Sequence, residues 1–189
     1  MTAPCERHIP GPGARVAARL GGRLPVLDTR RLQLRGPRIY DFDAYATIFC
    51  SDRALHMGGP MTRAGAWADF TNYCACWLLH GFGLWTIDAS TTPSAGFALI
   101  GYAYEDPEPE LGIFLTTEAE GKGYATEAVE AVRGHAFETL KWDSVVSYVA
   151  PKNGRCIALM TRLGARRDAE AEAALTDDTL VFRHHREAA

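Results

Sequence analysis

The sequence predicts a mixed α/β fold in which helices pack against a single sheet. Polar and apolar residues alternate over residues 29–35, which is the pattern of a half-buried strand. An apolar run over residues 111–115 is followed by glycines and then by apolar residues at helical spacing, which indicates a strand, a turn and a helix. The complete order of predicted elements is β-α-α-β-β-β-α-β-α-β.

Residues 1–25 are predicted to form a flexible N-terminal arm, and residues 26–189 a single domain. Proline and glycine recur through the first 25 residues, with arginines scattered between them. This segment has no apolar stretch of the kind that a signal peptide needs. A short helix over residues 14–20 is the alternative to a mobile arm.

Two helices are predicted between the first strand and the next. Gly36 and Pro37 end the first strand, and Asp41 or Asp43 is placed to cap a helix over residues 42–49. A second helix starts at Thr62, after a Gly-Gly-Pro break. Its apolar residues recur at spacings of three and four, at Trp67, Phe70, Cys74, Trp77 and Leu78. We expect the aromatic side chains of this helix to pack in the core or to form a wall of an acceptor cleft.

Three strands are predicted to follow as a hairpin or meander, over residues 84–87, 97–104 and 110–115. Residues 90–94 form the first turn, and the acidic, proline-stiffened residues 105–109 form the second. Carboxylates in this second turn can draw a cationic amine toward a nearby site, although a solubilising loop is the simpler interpretation.

The last third of the chain alternates helices and strands. A helix follows Gly123, and a β-branched run over residues 144–149 predicts the next strand. Asn153 is placed to cap a helix that Gly164 ends, and residues 179–182 form a last short strand. His184 and His185 follow this strand and are predicted to lie at the surface.

Composition and charge exclude several classes of protein. Hydrophobic residues make up 47% of the 189 residues, and the formal net charge is −3, which argues against nucleic-acid binding. No apolar run approaches the roughly 20 residues of a membrane span. The cysteines lack the spacing of a zinc ribbon or a thioredoxin site, so reduced thiols in the cytoplasm are expected. Cys74, Cys76 and His80 lack further ligands, and no metal site is predicted.

The turn over residues 118–123 has the features of an anion-binding site. A helix that starts after glycines leaves backbone N–H groups free, and its dipole adds roughly half a positive charge there. Gly121 and Gly123 let an anion approach the backbone, and Lys122 adds a mobile charge. The turn therefore predicts a phosphate-bearing cofactor, and a plain strand-to-helix connector is the simpler alternative. Walker and dinucleotide-binding motifs fit poorly, because the first needs Ser or Thr after the lysine and the second a third glycine.

Two stretches, Glu110–Leu115 and residues 121–128, resemble the acetyl-CoA site of the GCN5-related N-acetyltransferases (GNAT). The resemblance is greatest to the branch that contains the ribosomal-protein N-terminal acetyltransferases. Residues 27–35 resemble the opening strand of that branch, and residues 153–165 its second cofactor motif, an Asn followed by a helix ending in Leu-Gly. Together the similar stretches span residues 26–183. The resemblance implies a mostly antiparallel sheet, helices on both faces, and a V-shaped split between two central strands near Leu115 and Val149.

The resemblance also implies acetyl-CoA as a co-substrate and no metal. The strand over residues 113–116 is then expected to pair its backbone with the pantetheine arm, as an added strand does. The implied cofactor-binding residues are Phe114, Leu115, Thr116, Gly121, Lys122, Gly123, Tyr124, Ala125, Thr126 and Asn153.

Glu110 and Cys156 are the implied catalytic residues. Glu110 is at the family-matched position for a carboxylate that takes a proton from the incoming amine, directly or through a water. Cys156 stands where the ribosomal-protein branch often has Ser, and its thiol can protonate the leaving CoA thiolate. The simpler interpretations are a solvated carboxylate at a strand start and a small buried residue on a helix.

The chain departs from the family pattern at several positions. Glu118 stands where the first loop residue is usually Gln or Arg, and Glu120 adds a second carboxylate. Backbone N–H groups and Lys122 are therefore expected to provide the affinity for CoA. In the helix that follows Asn153, Met160 stands where many relatives have a Tyr, and Ala165, after the Gly that ends this helix, stands where a Phe is frequent.

The expected function is transfer of an acetyl group from acetyl-CoA to a primary amine, by direct attack in a ternary complex. The acceptor is a protein N-terminal α-amine or a small-molecule amine; a longer acyl-CoA or an antibiotic amine is an alternative within this class. A non-catalytic CoA-binding regulatory protein of the same fold is the alternative from another class. No nucleic-acid or membrane partner is expected, a cytoplasmic location is expected, and a homodimer is left open.

Overall fold

The computed structural model describes residues 2–186, which form an eight-stranded sheet with helices on both faces. Met1 of the predicted arm and residues 187–189 of the predicted domain lie outside the described residues. The strands are β1 Leu27–Asp28, β2 Leu32–Arg35, β3 Leu84–Ala89, β4 Thr92–Gly101, β5 Glu110–Leu115, β6 Ser144–Val149, β7 Arg166–Arg167 and β8 Leu180–His185. The helices are α1 Pro12–Gly21, α2 Phe42–Phe49, α3 Arg63–Leu79, α4 Tyr124–Gly134, which continues as a π-turn over His135–Thr139, α5 Gly154–Arg162 and α6 Ala169–Ala173. None of the helices in this part of the chain combines the length and the apolar character that crossing a membrane would require.

The sheet has one parallel pair of strands, and this pair opens into a split. The strand order is β1-β2-β3-β4-β5-β6-β8-β7, and every neighbouring pair is antiparallel except β5 with β6. These two strands share a single paired position, Glu110 with Val146. Just beyond it, the buried Ser147 hydroxyl donates to the carbonyl oxygen of Leu111 at 2.7 Å. The strands then diverge, so the predicted V-shaped split is confirmed.

Two apolar clusters cover the two faces of the sheet, because successive side chains of a strand point to opposite faces. On β3, Trp85 packs in the cluster that contains α4 and α5, whereas Leu84 packs with α2 and α3. On β4, Ile100 packs in the cluster with α4 and α5, and Leu99 packs with α2 and α3. The strands therefore carry apolar residues on both sides, and the predicted arrangement of helices on both faces is confirmed.

The caps of the two helices before β3 differ from one another. Helix α3 begins directly after Thr62, close to the predicted start, and the Thr62 hydroxyl caps it by accepting from the backbone N–H of Gly65 at 3.1 Å. Neither aspartate caps α2 with its side chain, so that prediction is wrong. Asp43 lies inside the helix, and the buried Asp41 instead pairs with Arg35 at 2.7 Å. Burial of the Arg35 guanidinium requires a carboxylate beside it, which is a stronger demand than capping.

The N-terminal segment contains helix α1. A short helix here was the alternative to a mobile arm that the sequence left open. None of the α1 side chains is buried, which agrees with a segment outside the apolar core. Before α1, Glu6 forms an ion pair with Arg63 at 2.7 Å, so the segment contacts the start of α3.

The last strand is longer than predicted, because β8 pairs with β6 along its full length. His184 is consequently only 1% exposed, so the prediction that it lies at the surface is wrong, whereas its neighbour His185 is exposed. β4 likewise begins at Thr92 rather than at residue 97. Strands β1 and β7 and helix α6 were not predicted, since elements of two to five residues contain too little of a periodic pattern.

Candidate active site

A cleft of about 700 Å³ occupies the split between β5 and β6, a volume typical of a small-molecule site. Its walls come from β5, the glycine turn, the start of α4, β6, α5 and the segment after α2. Ten of the twelve predicted site residues line it: Glu110, Phe114, Leu115, Gly121, Gly123, Tyr124, Ala125, Thr126, Asn153 and Cys156. The structure thus brings together residues that lie up to 46 positions apart in the sequence.

Thr116 and Lys122 are the two predicted residues that do not line the cleft. The backbone N–H and the hydroxyl of the buried Thr116 both donate to the carbonyl oxygen of Ala95, at 2.9 and 3.1 Å. Thr116 therefore joins the end of β5 to β4. Lys122 is exposed, and its ammonium lies 6.0 Å from the centre of the Tyr124 ring.

The glycine turn presents an open helix N-terminus to the cleft. Gly121 and Gly123 have φ angles of +72° and +77°, a conformation that favours glycine. Helix α4 begins directly after Gly123, and no side chain caps it. The backbone N–H groups of its first turn are therefore available to an anion in the cleft.

Arg31 holds this turn from outside the cleft. Its guanidinium donates to the carbonyl oxygen of Lys122 at 2.7 Å and to the Glu127 carboxylate at 2.6 Å. The same carboxylate also accepts from the Thr29 hydroxyl at 2.6 Å. Sequence reasoning missed this role, although both Arg31 and Glu127 lie within stretches that resemble the family.

Glu110 lies at the base of the split, where β5 and β6 meet. Burial, together with the charges of Asp106 and Asp69, raises the pKa of its carboxyl group to about 8, although a hydrogen bond from Tyr73 opposes the shift. The Tyr73 hydroxyl donates to Glu110 at 3.3 Å, and its ring fits because Gly101 has no side chain there. Glu110 can therefore exchange a proton near the pKa of an α-amine, about 7.7–8.0.

Cys156 lies in the first turn of α5, where Asn153 caps the helix by accepting from the Cys156 backbone N–H at 3.1 Å. The cap was predicted from the sequence and is confirmed. Burial, together with the charge of Glu110, raises the pKa of the Cys156 thiol to about 11. At neutral pH the thiol keeps its proton and is a poor nucleophile, and the raised pKa also makes it a weaker proton donor than an ordinary thiol.

Two carboxylates of the acidic turn before β5 are already bonded within the protein. Glu108 pairs with Arg183 at 2.6 Å, and Asp106 accepts from the backbone N–H of Ala103. Cys76 is buried in the core, and within residues 2–186 no group of three or more His, Cys, Asp or Glu side chains forms a metal site.

Comparison with known proteins assigns a family to this arrangement. The family model for the acetyltransferase (GNAT) domain matches residues 31–166. An acetyltransferase structure from Agrobacterium tumefaciens is 38% identical, with a TM-score of 0.81, over 86% of this chain and 95% of that chain.

Two more distant structures, which support the fold alone, are ribosomal-protein or related acetyltransferases. RimL, described as a ribosomal L7/L12 α-N-protein acetyltransferase in complex with coenzyme A, is 12% identical, with a TM-score of 0.67, over 85% of this chain and 98% of that chain. Mycobacterium smegmatis RimJ in complex with CoA-disulfide is 19% identical, with a TM-score of 0.66, over 87% of this chain and 88% of that chain.

Proposed function

This chain belongs to the acetyltransferase (GNAT) domain family, and from that premise we propose that it transfers the acetyl group of acetyl-CoA to a primary amine. One observation carries the proposal: a carboxyl group with a pKa of about 8 lies at the base of a cleft whose other end is an uncapped helix start. The first feature suits removal of a proton from an amine, and the second suits binding of phosphate.

The free edge of β5 supports binding of an extended pantetheine arm. The carbonyl oxygens of Leu111 and Leu115 accept from Ser147 and Arg53, on the side away from β4. The backbone N–H and C=O groups of an antiparallel strand point alternately to its two sides. Ile113 lies two positions from Leu111 and from Leu115, so its backbone groups also point away from β4. Since β6 pairs with β5 only at Glu110, the Ile113 groups are available to a ligand that adds as a strand.

The proposed reaction uses two side chains of the chain. The amine nitrogen attacks the thioester carbonyl carbon while Glu110 accepts the amine proton. The carbon–sulfur bond then breaks, and the leaving thiolate takes a proton from a water or from the Cys156 thiol, whose raised pKa makes it a weaker donor than an ordinary thiol. A backbone N–H at the edge of β5 stabilises the negative charge on the carbonyl oxygen. The raised pKa of Cys156 argues against an acyl-cysteine, and therefore supports direct transfer.

The acceptor class that suits this site best is an α-amine. Its pKa of about 7.7–8.0 matches that of Glu110, whereas a lysine amine, near 10.4, is harder to deprotonate. A protein N-terminus and a small α-amine both satisfy this chemistry.

A thiol-release assay with a panel of amines tests the proposal. The panel contains short peptides with free N-termini, their N-blocked forms, lysine derivatives and small amines, each with acetyl-CoA. We expect CoA release to require a free amine, and peptides with an α-amine to exceed their blocked controls. Binding of acetyl-CoA without release on any amine would contradict an enzyme and support a CoA-binding regulator. Absence of binding would contradict both functions.

A further inference from the structure

Three charged side chains from separate elements meet at the edge of the cleft. Arg53 lies in the short helical turn Asp52–Ala54, Glu120 in the loop before α4, and Arg155 in the first turn of α5. One carboxylate oxygen of Glu120 accepts from the Arg53 guanidinium, and the other lies 2.7 Å from that of Arg155. All three residues line the cleft. We call this group the Arg–Glu–Arg bridge.

The bridge carries a net positive charge. Burial tends to raise the pKa of Glu120, but hydrogen bonds from Arg155 and Arg53 hold it below its ordinary value. Glu120 is therefore ionised at neutral pH, and two guanidinium groups against one carboxylate leave one positive charge in excess. From the sequence alone, the negative charge of Glu120 was expected to oppose phosphate binding. In the structure, the two arginine charges beside it outweigh that negative charge.

Arg53 has a hydrogen-bond donor that the described protein leaves unused. Its guanidinium also donates to the carbonyl oxygen of Leu115 at 2.8 Å and to the Thr117 hydroxyl at 3.1 Å, which fixes it at the end of β5. Its Nε is shielded from solvent and has no partner among residues 2–186. A buried donor without an acceptor is unfavourable, so the described residues do not satisfy all the hydrogen-bonding capacity of the Arg53 guanidinium.

We propose that Arg53 and Arg155 bind the phosphate groups of acetyl-CoA, and that Glu120 holds the two guanidinium groups at the required spacing. The inference rests on the proposed function. The loop offers no side-chain donor at its first position, because Glu118 is an exposed carboxylate, and Lys122 lies outside the cleft wall. Arg53, from the helical turn after α2, and Arg155, from α5, supply the side-chain donors that the loop lacks. Guanidinium groups suit this role, since they bind phosphate oxygens through paired N–H donors.

The test compares a thioester that has phosphates with one that has none. Arg155→Gln is the principal variant, because the Arg155 side chain is 76% exposed and we therefore expect the substitution to leave the fold intact. Arg53→Lys keeps the charge but loses the fork of donors. Arg19→Gln, on the exposed face of α1, is the matched control. Affinity for acetyl-CoA is measured by calorimetry at two salt concentrations, and turnover is measured with acetyl-CoA and with S-acetylpantetheine.

We expect Arg155→Gln and Arg53→Lys each to weaken acetyl-CoA binding by about five- to tenfold, with a smaller dependence on salt than in the wild type. Both variants should lose much less activity with S-acetylpantetheine, which has no phosphates, than with acetyl-CoA, and Arg19→Gln should match the wild type throughout. Wild-type affinity of both variants for acetyl-CoA, or an equal loss with S-acetylpantetheine, would overturn the inference while leaving the proposed function intact. If the wild type itself binds no acetyl-CoA, the proposed function and the inference both fall.

Discussion

The carboxyl group of Glu110 owes its properties to neighbours that are distant in the sequence. Tyr73 lies 37 positions away on α3 and donates a hydrogen bond to this group, whose charge in turn acts on the Cys156 thiol of α5. The residue itself was predicted from its place before an apolar strand and from the family resemblance. Its raised pKa was not predictable, because burial and the charges of Asp69 and Asp106 exist only in the folded chain.

At the residue scale, Glu110→Gln should reduce turnover by about 100-fold at pH 8, with little change in acetyl-CoA affinity. The base is the ionised form, whose fraction rises as the pH rises through about 8. Gln cannot ionise, so the ratio of wild-type to variant rate should increase across this range. The measurement is kcat/KM from pH 6 to pH 9 with one amine.

The control for this prediction is Glu130→Gln, an exposed carboxylate on α4 outside the cleft wall, which should follow the wild-type profile. A constant ratio of the wild-type rate to that of Glu110→Gln at every pH would remove Glu110 as the base.

At the scale of elements, helix starts that depend on local capping were predictable from the sequence. Contacts made by ion pairs between residues far apart in the sequence were not. Asn153 was identified as a cap because a cap uses neighbouring backbone, and this prediction is confirmed. The start of α3 was predicted at Thr62 and lies at the next residue. Asp41 was misassigned because its partner, Arg35, is fixed by the packing of β2 against β3. The Arg31 contact to the glycine turn was also missed, since it joins residues 91 positions apart.

Asn153→Ala tests whether the start of α5 serves the cleft as well as the fold. Loss of a cap should lower the free energy of unfolding by about 1 kcal/mol. Because Asn153 orders the turn that carries Arg155 and Cys156, acetyl-CoA affinity should also fall. Denaturant unfolding and calorimetry measure the two effects.

Thr62→Ala is the matched control, since it removes the cap of a helix start outside the cleft wall. It should lose similar stability and keep wild-type affinity. An equal loss of acetyl-CoA affinity in the two variants would show that Asn153 acts through stability alone.

At the scale of the whole molecule, the sheet sets both the cleft and the acid sensitivity of the fold. The alternating apolar residues predicted the strands, but the exact length of β8 depends on its pairing with β6. That pairing buries His184, whose Nε2 lies 3.3 Å from the Ser147 hydroxyl at the base of the split. Burial lowers the pKa of His184 to about 4.

His184 should therefore make the fold less stable as the pH falls. The unfolded imidazole takes up a proton near pH 6.5, whereas the folded one remains neutral until about pH 4, so acid favours the unfolded state. This linkage should remove about 2 kcal/mol of stability between pH 6.5 and pH 5.

The variant His184→Gln cannot take up this proton. As the pH falls from 6.5 to 5, the wild type should lose stability through His184 and the variant should not, so the difference in their free energies of unfolding should shrink. Urea unfolding at each pH measures this difference. A difference in stability that does not change with pH would contradict the assignment of this effect to His184.

The central claim is that the split between β5 and β6 supports direct transfer of an acetyl group to an amine. A single-turnover experiment with isotopically labelled acetyl-CoA tests it most directly, with mass spectrometry of both the protein and a peptide bearing a free N-terminus. We expect the label on the peptide α-amine, one CoA released for each acetyl group transferred, and no labelled protein when the peptide is omitted. Label on Cys156 or another residue before the peptide is added, or bound acetyl-CoA that never transfers its label to any amine, would contradict the claim.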